Sequence, residues 1–301
     1  MQQTTMWESK RDFGPIIQPI DASLEVGAYE VLWSEQDASF KSLAEKFAGA
    51  PGARPSDLVP ESEARKVSER VLAKLRERVE TRFDVRVNGE VDYPERLRDA
   101  THPVELLYFQ GAWELITTRG VAVVGTRKPT QEGVKRTQQM VQRLVEDEFT
   151  IVSGLAEGVD TAAHTTAIDA GGQTIAVIGT PLGHVYPKVN AALQDRIARD
   201  FLLISQVPIE RYEAQTYRVN RFFFPERNKT MAALTEATII IEAGETSGTL
   251  VQAREALKQK RKLFILNSCF ERSDLNWPRR FEAEGAIRVR DYADIRRELV
   301  G

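Results

Sequence analysis

From residue 121 onward the chain alternates short, continuously apolar runs with segments of helical periodicity, and this alternation leaves few architectures open to it. The runs occupy residues 121–124, 149–152, 174–178, 201–204, 238–241 and 263–266. None shows the in-out alternation of a half-exposed strand, so each reads as a strand covered on both faces, as in a parallel sheet. Helical patterns fill the gaps. Residues 131–146 carry Val134, Met140, Val141, Leu144 and Val145, and a second pattern spans 249–260. Strand and helix in alternation, joined by short connections, predict an α/β protein built on a doubly wound, mostly parallel sheet.

The first ninety residues follow a different rhythm. Two short helical stretches lie within 23–47, the second with Phe40, Leu43, Ala44 and Phe47 at helical spacing, and a Pro/Gly break follows at 50–55. A longer helix is predicted over 61–80. Its stripe is Ala64, Val67, Val71, Leu72, Leu75 and Val79, and its charged face carries Glu63, Arg65, Lys66, Glu69, Arg70 and Lys74. Such a helix covers its own core; docking a partner is the competing use. With 301 residues the chain divides into a small N-terminal helical region, 1–90, and an α/β domain, 91–301.

No uncharged apolar run approaches the roughly 18 residues that a bilayer demands, so no membrane association is expected. The opening 1–14 mixes charges among apolar residues and lacks the pattern of a secretory signal, which predicts a cytoplasmic protein. A lone cysteine, Cys269, excludes an internal disulfide and suits a reducing compartment. Lys and Arg number 41 against 44 Asp and Glu, a net charge of -3. Bulk charge therefore does not advertise a polyanion binder, and an anion site must come from local clustering or backbone amides.

In a doubly wound sheet a ligand sits beyond the carboxyl ends of the strands. The loops there read Gly125-Thr126-Arg127, then 153–158 (SGLAEG), 179–183 (GTPLG) and 242–249 (EAGETSGT). Glycine admits a phosphate close to the backbone, and Ser or Thr supplies a donor or a helix cap. Four such loops on one sheet edge point to an anion site. Neither the dinucleotide fingerprint nor the triphosphate loop is present, so NAD and ATP are disfavoured and no cofactor is expected. His102, His164 and His184 form no ligand pair at short spacing, which argues against a metal. Asp160 and His164, four apart on a predicted helix, suggest a hydrogen-bonded structural pair.

Residues 211–229 interleave Arg211, Arg218, Arg221, Arg227 and Lys229 with Tyr212, Tyr217, Phe222, Phe223 and Phe224. Cations among aromatics suit a flexible strand whose phosphates need neutralising and whose bases need a stacking surface.

The ordered motifs together resemble the DNA-processing protein A family, also called DprA or Smf. They are DYPERL at 92–97, LLYFQG at 106–111, VAVVGTR at 121–127, SGLAEGVD at 153–160, GGQTIAVIG at 171–179, FPERN at 224–228 and SGTL at 247–250. The resemblance covers roughly residues 90–266 and implies an extended Rossmann-like domain that binds single-stranded DNA without chemistry. It also implies a homodimer and help in loading the RecA recombinase during recombination or natural transformation. Carried over by position, Gly125, Thr126 and Arg127 would hold a phosphate, with Ser153 and Gly154 lining the same pocket. Arg221 would add a cation, Phe224 would offer a face to a base, and Arg227, Asn228 and Lys229 would complete a clamp. Ser247 and Gly248 would present amides from the opposite wall. Where the family usually carries a second Arg, this chain has Lys229, which keeps the charge and loses the bidentate geometry. From Asn267 onward the family pattern is altered.

Two other functions compete. One is a nucleotide-binding sensor or nucleoside-monophosphate hydrolase with a related pocket, in which Glu242 would be the acid or base. The other is an adaptor that docks a protein through the N-terminal helices.

Overall fold

The computed structural model describes residues 20–98 and 100–301; the segment 1–14, read above for a secretory signal, lies outside the described residues. Among the described residues nine strands form one sheet. They are β1 (Phe83–Val87), β2 (Leu106–Gly111), β3 (Gly120–Val124), β4 (Thr150–Ser153), β5 (Thr174–Ile178), β6 (Leu202–Ser205), β7 (Ala237–Ile240), β8 (Lys262–Leu266) and β9 (Ile287–Val289). Their spatial order is β1-β2-β6-β5-β4-β3-β7-β8-β9. The pairs β1–β2 and β2–β6 are antiparallel and all the others parallel.

Helices α1 (Ala22–Ser34), α2 (Phe40–Ala48) and α3 (Glu61–Arg78) precede the sheet, and α4 (Glu95–Arg98) lies between β1 and β2. Helices α5 (Gln131–Glu146), α6 (Val159–Asp169) and α7 (Ala191–Asp200) connect β3, β4, β5 and β6 in turn. The passage from β6 to β7 holds α8 (Ile209–Ala214), α9 (Tyr217–Asn220) and α10 (Phe223–Leu234). Then come α11 (Thr249–Lys258), α12 (Asn267–Phe270), α13 (Trp277–Ala283) and α14 (Tyr292–Leu299). No helix among the described residues is long and apolar enough to cross a membrane.

All six apolar runs are strands, each within a residue of its expected limits. Their continuous apolarity has a simple cause: both faces of the sheet are covered. Val121, Val123, Ile151 and Ile239 pack with Met140, Val141 and Leu144 of α5 and Ala163 and Ala167 of α6. The alternate residues Ala122, Val124, Val152 and Ile240 face a second cluster that takes in Met231 of α10, Leu250 and Ala253 of α11, and Leu32, Val71 and Leu75 of the N-terminal helices. The 61–80 stripe therefore covers the protein's own core. The sheet also takes in β1, on the N-terminal side of the 90/91 boundary expected from sequence.

The N-terminal helices also secure the start of the β6–β7 passage. Arg70 pairs with Glu210 at 2.5 Å and Lys74 with Glu213 at 2.7 Å. Beneath them the buried Glu30 of α1 accepts the Ile209 and Glu210 backbone N–H groups, at 2.7 and 3.0 Å, and the Tyr108 hydroxyl at 2.7 Å. Burial raises the Glu30 carboxyl to about 7 despite these donors. The folded state thus holds this proton more tightly than the unfolded chain, so the stability it contributes is full below the ordinary carboxyl range and is lost as pH rises through about 7. Denaturant unfolding between about pH 5 and pH 8 should show a fall of roughly 1–3 kcal/mol that Glu30→Gln removes. Parallel pH profiles for the two proteins would refute the assignment.

Candidate nucleic-acid interface

The chain leaves β3 toward β4, β5 and β6 on one side, then returns to β7 on the other side of β3. The loops after β3 and β7 therefore diverge, and a crevice opens between them at the carboxyl ends of the strands. It holds a cavity of about 460 Å³. One wall is Gly125, Thr126, Arg127 and Lys128, the opposite wall Gly244 and Thr246 through Thr249, and α10 crosses the mouth with Phe224, Pro225, Arg227 and Asn228. Backbone and hydroxyl contacts lock the walls together. The Thr126 N–H donates to the Glu242 carbonyl at 2.7 Å, and the Thr249 hydroxyl donates to the Gly125 carbonyl at 3.0 Å.

The glycines divide into two kinds. At Gly125 a Cβ would come within 2.8 Å of the Glu242 carbonyl, and at Gly158, where φ is 82°, within 2.5 Å of the Thr126 carbonyl. These two let loops pack against each other rather than admit a ligand. Around Gly244 and Gly248 a Cβ would meet nothing within 4 Å, so there the backbone is open to a visitor.

Eight of the twelve residues expected at the site line the cavity: Gly125, Thr126, Arg127, Phe224, Arg227, Asn228, Ser247 and Gly248. Arg127 is exposed, as is the neighbouring Lys128, which sequence reasoning passed over although it adjoins Arg127 in the same loop. Neither side chain has an ion-pair partner among the described residues. Arg227 is different. The residue is 6% exposed and Nη1 donates to the Gly154 and Val177 carbonyls at 2.6 and 2.7 Å, with the guanidinium lying where a Gly154 Cβ would be. Burial lowers it to about 10; nearby Asp160 opposes the shift and the Arg127 charge adds to it.

The other four residues lie elsewhere. Ser153 is buried and donates to the Val123 carbonyl at 2.7 Å. Gly154 lies under Arg227, and Arg221 is exposed with its guanidinium 5.4 Å from the Phe222 ring centre. Lys229 is held by Glu226 at 2.7 Å and faces Nδ1 of His102 at 3.2 Å. The helical repeat explains this: Phe224, Arg227, Asn228 and Met231 recur at three- and four-residue steps on the face of α10 that meets the cavity, and 226 and 229 fall off that face.

One further expectation is corrected. Asp160 does not bond His164; its carboxylate accepts the Gly154 and Ala156 N–H groups at 3.2 and 3.3 Å, closing the loop after β4. His164 lies 2.7 Å from the Thr174 hydroxyl, and burial, with the Arg227 charge, lowers it to about 3, so the imidazole stays neutral. Glu242, the candidate acid or base of the competing hydrolase reading, accepts the hydroxyl of Thr130, the N-cap of α5, at 2.8 Å and does not line the cavity. Among the described residues no group of three or more His, Cys, Asp and Glu side chains could hold a metal ion.

A family model described as DNA recombination-mediator protein A matches residues 84–300. The DNA processing protein DprA of Streptococcus pneumoniae is 41% identical over 175 residues, 58% of this chain and 59% of that protein. Protein Smf of Synechocystis is 38% identical over 179 residues, 58% of this chain and 44% of that protein. The match thus spans about half the length of these two relatives. The DNA processing protein DprA of Bacillus subtilis is 31% identical, with 76% of this chain and 75% of that protein covered. The X-ray structure of the Streptococcus pneumoniae protein superposes with a TM-score of 0.67 at 28% identity, over 92% of this chain and 95% of that one. A structure of DNA processing protein A from Helicobacter pylori, described for its single-stranded DNA binding mode, gives 0.61 at 26% identity, over 73% and 97%.

The contrast between the two arginines is measurable. Arg227→Ala leaves two buried carbonyls without their donor and should lower the unfolding free energy by about 2–4 kcal/mol. Arg127→Ala, at an exposed position, should change it by less than about 0.5 kcal/mol. Similar losses in both variants, measured by denaturant unfolding, would contradict the division of roles.

Proposed function

The chain belongs to the DNA recombination-mediator protein A family, and from that premise we propose that it binds single-stranded DNA at the β3–β7 crevice without acting on it chemically. One observation carries this reading. Two exposed cations, Arg127 and Lys128, stand without carboxylate partners on the rim of a cavity whose opposite wall presents open backbone at Gly248 and the N-terminus of α11. Cations free of carboxylates, facing a backbone that a phosphate can approach closely and the positive end of the α11 dipole, form a phosphate cradle. The site draws on local charge, which is how a chain of net charge -3 can hold a polyanion. The crevice is of nucleotide size, and Phe224 at its mouth offers a ring to an unpaired base. The relative from Helicobacter pylori, with its single-stranded DNA binding mode, supports the same choice of ligand.

The hydrolase alternative loses its candidate residue, because Glu242 is engaged by Thr130. In this reading the protein shields strands in the cytoplasm, acts as a homodimer and hands strands to a RecA-type recombinase in recombination or natural transformation. These further roles rest on the family.

Titration of a fluorescent oligonucleotide over a range of salt tests the proposal. Affinity should fall steeply with salt, and Arg127→Ala should weaken binding and reduce the slope by about 0.7, the share of one phosphate on a single strand. Lys229→Ala, whose ammonium is held by Glu226, should leave the slope unchanged. Binding indifferent to salt, or to the loss of Arg127, would refute the reading.

A further inference from the structure

Beyond the cavity mouth the aromatic surface continues. Phe224, which lines the cavity, lies 5.4 Å from the Tyr186 ring, and Tyr186 lies 6.5 Å from the Tyr217 ring, their hydroxyls 3.4 Å apart. Tyr217 is 63% exposed, so its ring is accessible from solvent. The Tyr186 hydroxyl raises the Tyr217 phenol, and the charges of Arg127, from the cavity rim, and Arg221 oppose that shift. We propose that Phe224, Tyr186 and Tyr217 form a row of stacking rungs that takes successive bases of the strand whose phosphate occupies the cavity. This rests on the single-strand reading above and adds the ring-by-ring path of the bases.

Spacing and tilt support it. The ring-to-ring steps exceed the rise of about 3.4 Å per nucleotide of a duplex strand. Neighbouring rings are also turned by 47° and 50° rather than parallel. A base pair step cannot follow such a row, whereas an unpaired strand, free to turn at each nucleotide, can place one base on each ring. An exposed ring set among cations and continuous with an anion cavity suits a polynucleotide better than an apolar protein face. Phe222, equally exposed at 62%, belongs to a different pocket, with Trp33 and Phe40, and lies off the row.

The experiment compares two fluorescent strands of equal length, one of thymidine nucleotides and one of abasic deoxyribose phosphates. Wild type, Tyr217→Ala, Tyr217→Phe, Phe222→Ala and Arg127→Ala are titrated with each. Tyr217→Ala should lose roughly tenfold in affinity for the base-bearing strand and nothing for the abasic one, since stacking acts on bases alone. Tyr217→Phe, which keeps the ring, should restore binding, and Phe222→Ala should match wild type. Equal loss on both strands, no loss on either, or failure of the phenylalanine to rescue would overturn the row. Unchanged strand affinity with an altered oligomeric state would assign the ring to protein contact, which also overturns it. If instead Arg127→Ala binds both strands as wild type does, the crevice reading itself fails.

Discussion

The crevice depends on a buried guanidinium committed to backbone carbonyls. Arg227 joins the crossover helix α10 to the carbonyl of Gly154, just beyond β4, and to that of Val177 in β5, so one side chain secures the passage from β6 to β7 against two strand ends. Removing a charge from water is costly, and the carbonyl partners and the Asp160 charge nearby offset only part of that cost, which is why burial pulls this arginine below its ordinary range. With α10 fixed, Phe224 and Asn228 take their places at the cavity mouth, and Tyr186 has a ring to pack against.

The same economy of charge separates structural from available cations. Arg70 and Lys74 are paired with carboxylates of α8, Lys229 with Glu226, and Arg227 with carbonyls. Arg127 and Lys128 are not paired, and they stand where the backbone of the facing wall is open. A nearly neutral chain can therefore present a positive rim, because Lys229 and Arg227 beside it are engaged internally. The loops around that rim are held by main-chain bonds, so the donors are already arranged before a ligand arrives.

Much of this architecture could be read along the chain. The six apolar runs announced parallel strands because coverage of both faces removes the polar alternation, and the glycine- and hydroxyl-rich loops marked the edge at which they end. The outer strands were harder. β1 mixes Asp84 and Arg86 among its apolar residues, and β9 has only three residues, too few to carry a period. The segment 211–229 read as a basic aromatic stretch, and its resolution into helices decided which cations face the crevice. A count along the segment groups Arg227 and Lys229; the helical repeat separates them.

What the sequence determined by itself was the fold class, the edge of the sheet at which a ligand could bind, and the residue types collected there, since each depends on periodicity or on short-range backbone preference. Only the tertiary structure decided which of those residues are free. Lys229 is neutralised by a neighbour on its own helix, Arg227 is buried against the Gly154 carbonyl beyond β4 and the Val177 carbonyl of β5, and Glu242 is turned to Thr130 more than a hundred positions away. Availability of a charge is set by what surrounds it in space, and partners distant in the chain leave no local pattern from which that can be read.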